Sequence, residues 1–396
     1  MRNEVRYEVV CVSCFRRVGA SKSTFAQHYT ETILVSNIPV TGQTPVRDSN
    51  LQNPWGLVSS PTSPWWVSNN AGGTATLYDA SGLTKSPPAP IAIVPINGTG
   101  IVTIPSAPSQ NGSPGSPTAV MFNGNTAAFY LPTTGNPAAR FIFVTEDGTV
   151  QGWAGGAKAT IVVDNSVKPS AAKGAVYKGA TIAEIDGKEY ILAANFRSGR
   201  VDVFDSNFNP VRLSDEAFGN RHKGDEDDED DEDGLRGFAP FNIQGIGPNI
   251  YVTYAKQDTA KHDPVGGTGL GFVDVFSSEG RLLQRLQHGP WLNAPWGIVL
   301  TPAEFGEFSH TLLVGNFRGG TIAAFNPLTG RFMGNVLNPD GSVVNIDGLW
   351  ALEFGNGTGS GPAHTLFFTA GPDLEMDGLL GTLTPVSSEL NENDEQ

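Results

Sequence analysis

The segment Asn53-Pro54-Trp55-Gly56-Leu57 recurs far along the chain as Ala294-Pro295-Trp296-Gly297-Ile298. After each copy come an apolar β-rich run, an Asn, a Gly pair and a second β-rich run. The first reads Trp65-Trp66-Val67-Ser68-Asn69-Asn70-Ala71-Gly72-Gly73, and the second Leu312-Leu313-Val314-Gly315-Asn316-Phe317-Arg318-Gly319-Gly320. A repeated unit constrains a fold strongly, because each copy has an apolar face that only a neighbouring copy can cover. Aligning the chain on these copies gives six units. Their opening strands are expected near Trp55–Ser59, Pro117–Phe122, Gly179–Ile185, Phe241–Ile246, Trp296–Leu300 and Leu349–Phe354. Two further strands follow in each unit, then turn signals such as Asp79-Ala80-Ser81-Gly82, then a more irregular fourth strand.

Six four-stranded units predict an all-β fold, a six-bladed β-propeller. The last unit has no obvious fourth strand before the polar tail, whereas the extra strand Glu31–Ser36 stands ahead of the first unit. That N-terminal strand is expected to complete the last blade and close the ring, hiding two sheet edges together. The expected organisation is a leader over 1–28, a propeller over 29–387 with an acidic insertion at 214–236, and a polar tail over 388–396.

Composition agrees. Forty-eight Gly, 28 Pro and only 16% charged residues suit many turns, and no long window carries helical apolar spacing. A formal charge of −15 argues against nucleic acid or an anionic membrane surface as a partner. No run of 18 apolar residues is present, so no membrane-spanning helix is expected. Cys11 and Cys14 form a lone CxxC that no further Cys or nearby His completes into a four-ligand site, and no signal-peptide core is recognised around them. Asp225–Asp233 is nine consecutive acids, read as a solvated insertion; without it the charge of −15 becomes −6.

Three motifs together, Asn53-Pro54-Trp55-Gly56, Ala239-Pro240-Phe241-Asn242-Ile243-Gln244 and Ala294-Pro295-Trp296-Gly297, resemble an uncharacterised, mostly bacterial family of NHL-like six-bladed propellers. The resemblance covers roughly residues 30–385 and implies the fold. Members of that family are often exported, so it also implies an extracellular location. Similarity to propeller lactonases and NHL lyases is more distant and stays at the level of fold, which does not carry function.

No HExxH, GxSxG or phosphate-cradling loop occurs, and the six histidines are scattered. Position within the blades is what remains. Residues before the opening strands and after the second strands should share one end of the channel, where propeller loops meet ligands. The expected ligand-binding set is Trp55, Asn69, Asn195, Arg197, Trp296, Asn316 and Arg318. Its sharpest element is the Asn-Phe-Arg-x-Gly repeat of units three and five, whose arginines would face a common volume and grip an anion. Apart from the arginines, whose alternative is to brace neighbouring blades on the outer rim, these motifs also have a packing reading: Asn and Gly close hairpins, while Phe and Trp fill space between blades. Glu146 and Asp347, with amide oxygens, are expected ligands of an axial calcium. The function expected first is a monomeric propeller binding a small molecule or protein at the channel mouth. The alternative is a calcium-assisted hydrolase or lactonase, or a lyase, acting on a small molecule in the channel.

Overall fold

The structure, a computed structural model, describes residues 27–214, 217–219, 236–387 and 389. The leader with Cys11 and Cys14, the acidic run Asp225–Asp233 and the tail beyond Glu389 lie outside the described residues. Six sheets form the six blades, antiparallel except where the short edge strand Val46–Arg47 runs parallel to Tyr29–Ser36 in blade six. Their inner strands are Pro54–Val58, Pro117–Phe122, Tyr177–Ile185, Phe238–Ile246, Pro295–Leu300 and Leu349–Phe354. Each inner strand packs on the next, and the sixth packs on the first. The ring is closed by the N-terminal strand Tyr29–Ser36, which pairs antiparallel with Leu379–Pro385 as an outer strand of blade six. Its first turns are pinned from the other chain end, where the Glu389 carboxylate accepts from the His28 backbone at 2.8 Å and from Gln27 Nε2 at 2.9 Å.

Burial explains why the strands form where they do. Second strands such as Trp65–Asn69, Phe141–Thr145 and Leu312–Asn316 are buried at every residue, because both of their faces meet neighbouring blades. Apolar clusters consequently lie between adjacent blades, and one further cluster lies on the axis.

One irregularity recurs in all six blades. The ladder between first and second strands skips after Pro54, Pro117, Tyr177, Pro240, Pro295 and Leu349. Such a bulge re-aims the side chain that follows. Glycine after tryptophan has a steric reason here. A Cβ at Gly56 would stand 2.6 Å from the Thr118 carbonyl oxygen, and one at Gly297 would stand 2.4 Å from that of Trp350. The Trp-Gly pair therefore marks where neighbouring inner strands approach most closely.

Candidate functional site

The residues freed by the six bulges are Trp55, Thr118, Lys178, Phe241, Trp296 and Trp350. They form one ring at the mouth end of the channel, and the aromatic members fill it. Trp55 and Trp350 stack with ring centres 3.5 Å apart, Trp350 stacks on Phe317 at 3.9 Å, and Trp296 meets both tryptophans edge-on. Phe241 and Phe196 extend the cluster. Two indole N–H groups are satisfied: Trp350 Nε1 donates to Asn53 Oδ1 at 3.1 Å, and Trp296 Nε1 to the Lys178 carbonyl at 2.9 Å. Trp55 Nε1 is buried without a partner. Each aromatic pair adds about 0.5–1.5 kcal/mol beyond its buried area, so the plug is a stable piece of core on the axis.

Lys178 is the one charged member of the ring, and its side chain is 1% exposed. Its ammonium lies 5.2 Å from the Trp55 ring centre and pairs with Glu146 Oε1 and, at 3.0 Å, with Asp263 Oδ1. Burial alone would lower the pKa of this amine, but the two carboxylates outweigh burial and hold it above its ordinary value. His262, 2.9 Å from Asp263, is the first cause and Lys178 a further cause of an Asp263 pKa far below the usual range. The network continues on the polar side. Asn70 Nδ2 donates to Glu146 Oε2 at 2.7 Å, and Asn53 Nδ2 donates to Asn70 Oδ1 and to Glu375 Oε2. Burial raises the Glu375 carboxyl above its ordinary pKa.

Beside the plug, between blades five and six, lies an open cavity of about 580 Å³ whose polar walls include Arg318, Asp347, Asp373 and Glu375. Arg318 lies over the Phe317 ring at 4.4 Å, with its guanidinium 4.0 Å from Glu375. One wall is unusual. Asp373, Leu374 and Glu375 all sit in the left-handed region, with φ of 53°, 56° and 71°. Non-glycine residues pay for that conformation, and runs of it concentrate at ligand clamps and switch segments. This turn aims Glu375 back at Asn53 while leaving Leu374 86% and Met376 71% exposed on the rim.

The expected site residues are thus distributed as follows. Trp55 and Trp296 reach the axis but are buried in the plug. Asn69, Asn195 and Asn316 are also buried, and their side chains turn into their own blades. Asn69 donates to Thr76 Oγ1 at 3.0 Å, Asn195 to Asp202 Oδ2 at 2.9 Å, and Asn316 to the Trp291 carbonyl at 2.9 Å. Arg197 donates to the Gly174 carbonyl in the connection entering its own blade, whereas Arg318 faces the cavity with Asp347. The two arginines share no partner among the described residues. Their phenylalanines, Phe196 and Phe317, do meet in the axial cluster.

Glu146 and Asp347, the expected calcium ligands, are each held by partners of their own. Glu146 is engaged by Asn70 and Lys178, and Asp347 Oδ2 accepts from the Asp373 backbone at 3.1 Å. A different trio, Glu146, His262 and Asp263, has ligand atoms within 4.8 Å of one another. The Lys178 ammonium bridges its two carboxylates, so this arrangement does not fit calcium, which takes six to eight oxygens. Lys178, Asp263, Asn53 and Glu375 are absent from the sequence-derived set. Lys178 is readable only by placing Tyr177-Lys178-Gly179 over Pro54-Trp55-Gly56.

No family model matches the chain. The uncharacterized protein R648 of Acanthamoeba polyphaga mimivirus is 31% identical over 359 residues, covering 88% of this chain and 78% of its own length. Among solved structures, a protein of unknown function from Bacteroides thetaiotaomicron aligns with a TM-score of 0.50 at 8% identity, over 91% of this chain and 76% of its own. A streptogramin B lyase aligns over 91% of this chain and 98% of its own, with a TM-score of 0.46 at 12% identity. The matches speak for an uncharacterized propeller family. They do not speak for a mostly bacterial one.

Proposed function

This chain belongs to the family of the uncharacterized mimivirus protein R648, and we propose that its ring is a binding module whose partner docks at the channel mouth. The observation that carries this reading is the filled axis. Trp55, Trp296, Trp350 and Phe241 occupy the place where a small substrate would enter, and the charges around them are already paired. An accessible volume at this face lies to one side, between blades five and six. There one arginine is outnumbered by Asp347, Asp373 and Glu375, and two apolar side chains stand in solvent on the rim. That combination suits a peptide segment carrying a lysine or arginine beside an aliphatic or aromatic residue: the base enters the acidic cavity, and the apolar residue covers Leu374 and Met376.

A panel of immobilised peptides pairing basic with apolar residues tests this directly. The full chain should bind a subset of them, and Asp347→Asn combined with Leu374→Ser should weaken that binding at least tenfold. Failure of every peptide to bind, or equal binding by the variant, would overturn the reading. The competing proposal is a calcium-assisted hydrolase. It would use the Glu146, His262 and Asp263 trio, which could take calcium only once Lys178 had left its two carboxylates. Stoichiometric calcium on the purified protein would support that alternative.

A further inference from the structure

The far end of the axis is built from different material. Past the bulges the inner strands carry mostly apolar side chains, and two cavities of about 30 and 180 Å³ lie among them. Both are walled by Leu57, Val120, Ala180, Gln244 and Glu353, so together they make one blind funnel. Its deep end reaches Trp296 and Asn242 under the plug, and its wide end finishes at the half-buried Val58, Phe122 and Ile182.

Among the described residues, Glu353 is the only titratable one in the lining. Its carboxylate accepts a single hydrogen bond, from the Phe354 backbone at 3.3 Å. Among the described residues no cation stands opposite it. The flanking strands Pro54–Val58 and Pro295–Leu300 and its ladder partner Leu366–Ala370 carry no titratable side chain. Among the inner strands, Glu184 is the other carboxylate toward this end, exposed near the hairpin of blade three, while Tyr177 and Lys178 belong to the mouth. A half-buried carboxyl in a mostly apolar lining lacks a counter-charge, and a protonated amine supplies one together with a charge-assisted hydrogen bond.

We propose that this funnel binds a small primary amine as its ammonium ion, which donates to Glu353 while its hydrocarbon part lies against Leu57, Val120 and Ala180. The Gln244 carboxamide oxygen offers a second acceptor. The volume is below that of a drug-sized site, which limits the occupant to a short chain or a single small ring. One carboxylate and one carboxamide fall far short of a calcium shell, and an anion would find no positive group. This site is on the face opposite the proposed docking cavity and stands independently of it.

Acidity provides the signature. Burial pushes the Glu353 carboxyl up to about 7. Ammonium binding requires the ionised form, so affinity should fall about tenfold for each pH unit well below that value and level off above about pH 8. The test is calorimetric titration of the full chain with n-butylammonium between pH 5.5 and 8.5. Saturable one-to-one binding with that pH profile is expected. Glu353→Gln, with its fold verified by melting, should bind at least tenfold more weakly at pH 8 and without pH dependence, and Glu184→Gln at the exposed hairpin of blade three should bind like the parent. No saturable binding by the parent, or undiminished binding by Glu353→Gln, would overturn the proposal.

Discussion

The two ends of the axis solve one geometric problem in opposite ways. Six inner strands converging on a line leave a space too narrow for loops and too wide for backbone alone. At the mouth, four aromatic rings fill it, and the one buried charge, Lys178, is clasped by Glu146 and Asp263. At the far end, smaller residues such as Ala180 and Leu57 leave it open, and Glu353 faces the space without a counter-ion. A buried charge with partners is a fixture whose removal is costly; a half-buried acid without them is a latent site that gives up its proton readily only at higher pH.

The comparison can be broken most forcefully at the plug. Trp350→Ala removes the ring that stacks on Trp55 and Phe317, and should cost about 3–5 kcal/mol in denaturant unfolding. A loss under 1 kcal/mol would mean that the rings do not hold the mouth together. Next in size, Lys178→Met leaves Glu146 and Asp263 facing each other without their cation. It should cost about 3 kcal/mol near neutral pH, toward the low end for a broken buried pair because Asp263 is 58% exposed. The sign of its pH dependence follows from both partners. The raised lysine keeps its contribution until pH climbs past its ordinary value, and the depressed Asp263 loses its contribution only as pH falls below the ordinary carboxylate range. The penalty of Lys178→Met should therefore be flat from about pH 5 to 9.

Glu353 should behave in the opposite manner. Its folded pKa is raised, so its contribution to stability is fully present below its ordinary value of 4.5 and is lost as pH rises through about 7. Glu353→Gln should accordingly unfold like the parent at pH 4.5 and be more stable by about 3 kcal/mol at pH 8.5. Parallel stability curves for the two proteins across this range would show that the funnel carboxyl is solvated.

Sequence made the blades legible because each strand is an apolar run between turn signals, and the closing strand legible because blade six ends one strand short. The mouth was only half legible. Trp55 and Trp296 advertise their shared position through the Pro-Trp-Gly pattern, but Lys178 and Thr118 occupy equivalent positions with unrelated side chains, so only register reveals them. The Asn-Phe-Arg repeat proved informative in its middle residue: Phe196 and Phe317 join the axial cluster, while the arginines part company. The turn at Asp373 and Glu375 was opaque, since nothing in Asp-Leu-Glu asks for three left-handed residues. Glu353 gave no signal either, because one acid in an apolar strand reads as a solvent-facing position unless the ring is known to curl that face inward.

Ring closure also has a consequence in time. Tyr29 pairs with Pro385, so the strand made first must wait for the strand made last. At synthesis rates of about 5–20 residues per second, that delay is roughly 20 to 70 s. Throughout it, Tyr29–Ser36 carries an unpaired edge and an uncovered apolar face, while five blades already have neighbours to pack against. A pairing of such long sequence separation gains nothing until the end and sets a slow final step. The nascent propeller is therefore most exposed to mispairing with other strands at Tyr29–Ser36, well after that strand has left the ribosome.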